Sequence, residues 1–270
     1  MRKIDDLKEV QKILLDNLIY LDKICREHHL KYFMVDGTLL GAVRHQGFIP
    51  WDDDIDVWMP REDYDKLAQY VNSDNSPYVF QTPQNVDGFT YSFGKLIDTR
   101  TKIEEKIDIR VEMGLFIDVF PYDGLPEPGT RKYQRFLNKS LFLESQRMAA
   151  LYTWDESKKR RNGSFYGWLT WRIRKWIGCP RIVRLVDKNA RKYPVKGSNM
   201  VGCLVAGYKK NQMMEREITE ELMELEFEGH RFMAPKYYDR YLKKLYGDYM
   251  KLPPKEQQII HHMNNIWWKE

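Results

Sequence analysis

The sequence predicts an α+β fold, with a sheet and its flanking helices in residues 1–127 and a mainly helical region in residues 128–270 that completes the fold. Two patterns indicate it. An apolar stripe at helical spacing runs from about Asp5 to His28, and apolar and polar residues alternate with period two after Asp54. A chain of 270 residues that is 43% hydrophobic can bury a sizeable core. We therefore expect one core domain and an appended region.

The remaining elements follow from the same patterns in chain order. A short apolar strand at 32–35 leads through a small-residue turn into a helix, and Pro60 marks the start of another helix at 61–71. Further strands are expected at 78–81, 90–98, 102–109, 115–120 and 200–207. Further helices are expected at 131–153, 165–186 and 237–246.

An acidic run is the most informative local feature. Residues Trp51 to Val57 read WDDDIDV, which places four aspartates within five positions. Carboxylates packed this closely raise one another's pKa and cost stability unless a cation offsets their charge. In a strand, Asp54 and Asp56 point to the same face. The expected occupant is a divalent cation, Mg²⁺ or Mn²⁺ in its place; the alternative is a solvated acidic turn that binds nothing.

A Gly-Thr turn lies upstream of the acidic run. Gly37 and Thr38 separate the apolar strand from the helix that follows. A small-residue turn that opens a helix presents backbone N–H groups and the positive end of the helix dipole, which suits a phosphate. Such a turn alone is more often structural. Its position beside the acids, with Arg44 and His45 between them, fits a single polyphosphate–metal site.

Three segments resemble the LicD family of phosphotransferases. They read DGTLLGAVRHQGFIPWDDDIDVWMPREDY at 36–64, GLFIDVFPYDGLP at 114–126, and a stretch at 235–254 that ends in YGDYMKLPP. The resemblance implies a nucleotidyltransferase fold, typified by DNA polymerase β, with a mixed sheet flanked by helices. It also implies that Gly37 and Thr38 form the phosphate-binding turn and that Asp54 and Asp56 form the metal-binding pair. Thr38 replaces the commoner serine and keeps its hydroxyl.

The resemblance also implies a third carboxylate on a neighbouring strand, which bridges the metals and helps to accept the proton of the attacking hydroxyl. Asp118 is the expected residue, because it is the one charge inside the apolar strand at 115–120 and needs a partner there. A buried aspartate that caps a turn near Pro121 is the structural alternative. Asp123 is a second candidate, although its Pro-Tyr-Asp-Gly context suits a turn.

The implied reaction is transfer of a phospho-alcohol to a sugar hydroxyl. The donor is most commonly CDP-choline, CMP is released, and the acceptor is a lipid-linked oligosaccharide of the teichoic acid, capsule or lipopolysaccharide type. Asp54, Asp56 and Asp118 are then the expected catalytic and metal-binding residues. A nucleotidyltransferase that adds NMP from an NTP to a small acceptor is the alternative reaction. A non-catalytic protein that binds lipid surfaces or glycans is the alternative class.

Cationic and aromatic side chains near the acids are candidates for binding the donor. Charge that shifts onto the leaving nucleotide favours nearby cations. The candidates are Arg44, His45, Lys95 and Arg100. Lys95 is equally consistent with an outward, solvated lysine, and His45 with a histidine at a helix end. Trp51 and Trp58 are candidates for stacking on a base or enclosing the choline ammonium. The alternative is that both tryptophans only pack in the protein interior.

The location of the protein is predicted from what the sequence lacks. The three cysteines, Cys25, Cys179 and Cys203, are too scattered for a disulfide framework or a zinc site. We find no signal-peptide core and no apolar run long enough to cross a bilayer. We therefore expect a cytoplasmic protein.

A segment rich in tryptophan and arginine lies at 165–186. It interleaves three tryptophans with five basic residues, a composition that suits an anionic membrane surface. Peripheral contact with the inner face of the plasma membrane is one interpretation, and a basic helix whose tryptophans fill a core is the other. The net charge of +5 is modest and the basic stripe is confined to this segment, so nucleic acid is not an expected partner.

Overall fold

The computed structural model describes residues 1–73, 75–104, 111–155, 165–206, 213–260 and 265–269. The helices are α1 (Leu7–Glu27), α2 (Asp36–His45), α3 (Arg61–Ser73), α4 (Arg131–Leu151), α5 (Phe165–Ile177), α6 (Cys179–Ala190), α7 (Glu217–Glu220) and α8 (Tyr238–Tyr246), with a 3₁₀ turn at Lys255–Gln257. The strands are β1 (Arg2–Ile4), β2 (Phe33–Met34), β3 (Asp56–Pro60), β4 (Tyr78–Gln81), β5 (Gly94–Glu104), β6 (Met113–Gly124), β7 (Met200–Gly202), β8 (Met213–Glu215), β9 (Leu222–Phe227), β10 (His230–Pro235) and β11 (Asn265–Trp268). The protein therefore has the α+β fold that the sequence predicts.

Nine of the strands found in the described residues form one mixed sheet. Strands β1, β11, β5, β6, β3 and β2 lie side by side in that order, while β4 pairs with β5, β7 with β6, and β8 with β7. β3 and β6 run parallel, and the other pairs are antiparallel. A parallel pair needs a long crossover, which α3, β4 and β5 supply here. β9 and β10 form a separate hairpin.

Helices α1 and α3 pack on the sheet. The apolar stripe of α1 faces β5 and β6, and α3 lies against β3, β4 and β6. Asp6 caps the N-terminus of α1, because its side chain accepts a hydrogen bond from the backbone N–H of Lys8. Within the stripe, the buried amide of Asn17 donates to the carbonyl oxygens of Leu96 and Leu115 and so joins the helix to both strands.

The region 128–270 shares one core with the sheet. Helices α4 and α6 pack together with α5, as expected, but the region also supplies β7, β8 and β11 to the sheet. Phe136, Val186 and Tyr241 belong to the same buried cluster as Leu18 and Trp58. Residues on both sides of position 127 are therefore packed as one hydrophobic unit.

Several element boundaries differ from those expected. The helix predicted at 165–186 is two helices, because Gly178 adopts a left-handed φ of 82° between α5 and α6. The strand predicted at 90–98 begins only at Gly94, and α2 begins at Asp36, so that Gly37 and Thr38 lie inside its first turn. Residues 105–109 of the strand predicted at 102–109, and residue 207 of that at 200–207, lie outside the described residues.

A buried arginine joins the two regions. Arg61, the first residue of α3, donates to Asp123 at the end of β6 and, over 3.0 Å, to Asp187 of α6. The pKa of Arg61 is raised although its burial opposes this, because both carboxylates favour the guanidinium. Asp123 is thus a structural partner in an ion pair, away from Asp118, and the structure does not support it as the third acid.

Arg61→Met should lower the free energy of unfolding by about 3–5 kcal/mol, because it leaves two buried carboxylates without their cation. Urea unfolding of the purified protein would measure the loss. The control is Arg26→Met: Arg26 is 46% exposed where it pairs with Asp22, so its loss should cost about 1 kcal/mol or less. Equal losses in the two variants would contradict the structural role of Arg61.

Candidate functional site

Carboxylates from a loop and two parallel strands meet at one place in the sheet. Asp56 opens β3 and lies in register with Asp118 of β6. The backbone N–H of Asp118 donates to the carbonyl oxygen of Ile55 over 2.9 Å, which fixes that register. The pKa of Asp56 is raised well above its ordinary value by burial and then by the negative charges of Asp54 and Asp118. The structure thus brings together the three acids that the sequence singles out.

Two further aspartates belong to the same group. Asp52 hydrogen-bonds with Asp54, and burial together with the charge of Asp54 raises the pKa of Asp52 to about 8. Asp36 also contributes to the raised pKa of Asp56. Sequence reasoning passed over both residues, although Asp52 is part of the acidic run. Alternation would place Asp52 on the same face as Asp54 and Asp56, but β3 begins only at Asp56, so the loop before the strand positions Asp52.

The donor chemistry of this group fits a hard divalent cation. The side chains offer carboxylate oxygens, which Mg²⁺ prefers, and their crowding would be relieved by positive charge. Across the described part of the chain, however, no three His, Cys, Asp or Glu side chains are arranged as a ligand set for a metal ion. The carboxylates therefore fit Mg²⁺ by the type of their donor atoms and by their charge, and binding of Mg²⁺ stays a prediction.

Lys95 is the buried cation of the site. Lys95 lies in β5, which flanks β6 on the side opposite β3, and it is in register with Asp118. Its Nζ is 2.6 Å from Asp118 Oδ1. Only 2% of Lys95 is exposed, and its ammonium lies 3.4 Å from the ring centroid of Phe116 and 4.1 Å from that of Tyr91. The lysine predicted as equally consistent with either side of the sheet therefore points inward, toward the acids.

A cleft of about 200 Å³ opens beside this ion pair. Its polar lining consists of Asp53, Asp54, Lys95 and Asp118, and its aromatic lining of Tyr91, Phe93 and Phe116. Val10 of α1 and Ile266 of β11 belong to its aliphatic lining. The cleft thus combines carboxylates, one ammonium and flat apolar walls, which suits a ligand with charged and uncharged parts.

The first turn of α2 packs directly on the acids. Thr38 Oγ1 accepts a hydrogen bond from the backbone N–H of Asp56 over 2.8 Å, and only 3% of Thr38 is exposed. A Cβ at position 37 would lie 2.8 Å from Asp52 Oδ2, so Gly37 permits a close approach of the helix to the acidic loop. In this structure the turn faces carboxylates, and direct contact of Gly37 and Thr38 with a phosphate stays a prediction.

Thr38→Val should destabilise the protein by about 1–3 kcal/mol, because the buried N–H of Asp56 would lose its acceptor. Thr38→Ser keeps the hydroxyl and should stay close to the wild type. Urea unfolding of both variants, with hydrogen exchange of the Asp56 amide, would measure the effect. The prediction fails if Thr38→Val and Thr38→Ser unfold at the same urea concentration.

Arg44 and His45 end α2, and Arg44 binds the segment that follows α8. Arg44 Nη1 donates to the carbonyl oxygens of Tyr249 and Lys251, and Arg44 Nε donates to His45 Nε2 over 3.0 Å. Burial lowers the pKa of both side chains, and the charge of Arg44 lowers that of His45 further. Arg44 therefore holds residues 249–251 and His45 accepts a hydrogen bond from Arg44, while contact of either side chain with a substrate stays a prediction.

Helix α8 brings two tyrosines to the acids. The pKa of Tyr246 is raised by burial and then by the charges of Asp36 and Asp56. Tyr241, on the same helix, donates its hydroxyl to Asp36 Oδ1 over 3.0 Å. Sequence reasoning missed both tyrosines as neighbours of the site. The only signal was that both lie in the stretch 235–254 of the family resemblance, with Tyr246 at the start of YGDYMKLPP.

Three other candidate side chains have partners outside the acidic group. Arg100 pairs with Asp98 and also contacts Tyr78, and its contact with the donor stays a prediction. Trp58 is 1% exposed and packs edge-on against Tyr241 in the core, so it cannot stack on a base or enclose an ammonium. Trp51 is half-buried and packs against the same core.

Comparison with known proteins gives one family and one relative of full length. The profile described as "LicD/FKTN/FKRP, nucleotidyltransferase domain" matches residues 29–148, which hold all five site aspartates and Lys95. The Haemophilus influenzae protein named "Lipopolysaccharide cholinephosphotransferase LicD" is 30% identical over 271 residues, 97% of each chain. This likeness therefore extends well beyond the matched domain.

Two shorter matches are to uncharacterized proteins. One, from Rickettsia prowazekii, is 49% identical over 49 residues, 18% of each chain. The other, from Rickettsia typhi, is 51% identical over 41 residues, 15% of this chain and 13% of its own. These matches are local and indicate no activity.

Proposed function

Because the chain belongs to the LicD family, we propose that it transfers phosphocholine from CDP-choline to a sugar hydroxyl of a lipid-linked cell-surface glycan and releases CMP. The observation that carries the proposal is the meeting of Asp54, Asp56 and Asp118 beside the buried ammonium of Lys95, at the edge of a cleft. The full-length relative, named as a lipopolysaccharide cholinephosphotransferase, supports the same reaction.

The proposed reaction assigns a role to each of these side chains. The sugar oxygen forms a bond to the phosphorus of phosphocholine, the bond from that phosphorus to the CMP oxygen breaks, and CMP leaves with the electron pair. Asp118, held by Lys95, accepts the proton of the sugar hydroxyl. Asp54 and Asp56, with Asp118, would hold Mg²⁺, which when bound supplies positive charge to the diphosphate.

We also propose that residues 1–127 are a catalytic core with the nucleotidyltransferase fold. The parallel pair of β3 and β6, with an aspartate at the same register position on each strand, supports this assignment. Helix α2, which follows β2 and packs Gly37 against Asp52 of the acidic loop, supports the same assignment. Residues 128–270 would then complete the fold and face the acceptor.

Incubation of the purified protein with CDP-choline, Mg²⁺ and a lipid-linked oligosaccharide extract would test the proposal. CMP release and a phosphocholine mass increment on the acceptor lipid are the expected results. Parallel reactions with CDP-ribitol and CDP-glycerol would identify the alcohol. Release of pyrophosphate from an NTP, with no consumption of any CDP-alcohol, would instead support the nucleotidyltransferase alternative and refute the proposal.

Removal of divalent cations should abolish this turnover. EDTA treatment followed by gel filtration is expected to leave no CMP release above background, and added Mg²⁺ or Mn²⁺ should restore it, because the diphosphate then has a counter-charge among the carboxylates. Asp65→Asn changes an exposed carboxylate of α3 that pairs with Arg191, and this control variant should respond to EDTA and to added metal as the wild type does. Turnover that persists after EDTA would remove the metal from the proposal.

A further inference from the structure

Helix α5 leaves a stripe of large apolar side chains uncovered. Phe165, Leu169, Ile173 and Trp176 are all exposed, with Phe165 at 70% and Trp176 at 81%. Their spacing of four, four and three residues places them on one face of the helix. Tyr166 on one side and Trp168 on the other widen this face and are exposed as well. We call these six residues the α5 stripe.

The opposite face of α5 anchors the helix to the protein. Arg174 is buried and its Nε donates to Gln146 Oε1 over 2.7 Å, while Trp171 Nε1 donates to the carbonyl oxygen of Tyr152 over 3.1 Å. Ile177 packs on a small buried cluster shared by α4 and α6. The tryptophan that faces the protein is therefore the half-buried Trp171, and the stripe is not required for packing α5 onto its neighbours.

The surroundings of the stripe are basic. Residues 165–188 contain six basic residues and one acidic residue, and that acidic residue, Asp187, is buried in ion pairs with Arg61 and Arg191. Arg172, Lys175 and Arg181 are among the exposed basic residues. The neighbouring helices add exposed apolar side chains, Leu141 and Phe142 on α4 and Leu185 on α6. Aromatic and aliphatic residues inside a basic surround are typical of helices that lie at an anionic bilayer surface.

We propose that α5 is an interfacial membrane-binding helix, with the α5 stripe inserted at the headgroup level and the surrounding basic side chains against lipid phosphates. The 13 residues of α5 span about 20 Å, less than the roughly 30 Å of a hydrocarbon core. Among the described helices, none has the length and hydropathy to span a membrane. The helix therefore lies in the plane of the surface. This inference goes beyond the proposed reaction and does not depend on it.

Vesicle co-sedimentation of the full-length protein would test it. The wild type should bind vesicles of phosphatidylcholine mixed with phosphatidylglycerol, bind pure phosphatidylcholine more weakly, and be released at about 1 M salt, where surface charges are screened. Leu169→Glu/Trp176→Glu should reduce the partition coefficient about tenfold or more. Arg172→Glu/Lys175→Glu should reduce it on anionic vesicles by about fivefold or more per cation.

The matched control is Ile259→Glu/Ile260→Glu, which adds the same two charges at exposed apolar residues, 52% and 45% exposed, outside the stripe. This variant should bind like the wild type, and circular dichroism should show all variants folded. The proposal is overturned if the wild type does not bind anionic vesicles, or if the stripe variant binds them equally. A dimer in sedimentation velocity that only the stripe variant dissociates, without vesicle binding, would assign the stripe to a second copy instead.

Discussion

Asp56→Asn is expected to abolish phosphocholine transfer and, at the same time, to stabilise the protein in the absence of metal. Burial makes the charged form of the Asp56 carboxylate costly, and the negative charges of four neighbouring aspartates add to that cost. Asparagine keeps the shape of the side chain and removes that charge. We expect a stability gain of about 1–2 kcal/mol at neutral pH and a loss of turnover of about 10³-fold.

The sign of the stability effect depends on pH. The pKa of Asp56 is raised in the folded protein, so the folded state holds the proton more tightly than the unfolded chain. Its cost to stability is absent below the unfolded pKa of about 3.9 and grows as the pH rises toward the folded pKa. The difference between Asp56→Asn and the wild type should therefore be small at acid pH and large at neutral pH.

Thermal unfolding and CMP release, each with EDTA and with Mg²⁺, would measure both effects. Mg²⁺ should raise the unfolding temperature of the wild type and leave that of Asp56→Asn nearly unchanged, because binding to the folded state alone stabilises it. Asp65→Asn should behave like the wild type in both measurements. A variant that keeps its turnover, or that loses stability when the charge is removed, would show that the carboxylates are not crowded around a cation.

The acidic part of the site could be predicted because it is local in sequence. Asp54 and Asp56 are two residues apart, and Asp118 is conspicuous as a charge inside an apolar strand. Tyr246 could not be placed from its own neighbourhood, because only the return of α8 onto α2 brings it to the acids. The same holds for β11, a strand of four residues whose partners, β1 and β5, lie far away in the chain.

The positions of two candidate residues away from the carboxylate group have a geometric cause. Lys95 and Arg100 are close in sequence but lie on the same strand, where five residues span about 16 Å. The strand therefore carries Arg100 away from the acids to Asp98 and Tyr78. Trp58 shares the alternation of Asp56 but lies two residues further along β3, where the strand has entered the core. Alternation predicts the side of a strand and not the depth at which a residue lies.

Lys95→Met should be the most destabilising single substitution at the site. Methionine fills much of the space of the lysine chain, but the carboxylate of Asp118 would lose the ammonium that now lies 2.6 Å away. Because 2% of Lys95 and 19% of the Asp118 side chain are exposed, water can replace the lost partner only in part. We expect a loss of about 3 kcal/mol in the free energy of unfolding.

Lys95→Met/Asp118→Asn separates the charge pair from packing. If the ion pair is the cause, the double variant should recover most of the lost stability, with a coupling energy of about 1–3 kcal/mol in the double-mutant cycle. Both variants should lack turnover, since one has no ammonium to hold Asp118 and the other has no carboxylate to accept the proton. Urea unfolding and CMP release would measure the two properties. Additive stability losses would mean that Lys95 acts through its packing on Phe116 and Tyr91, and that Asp118 is positioned by β6 alone.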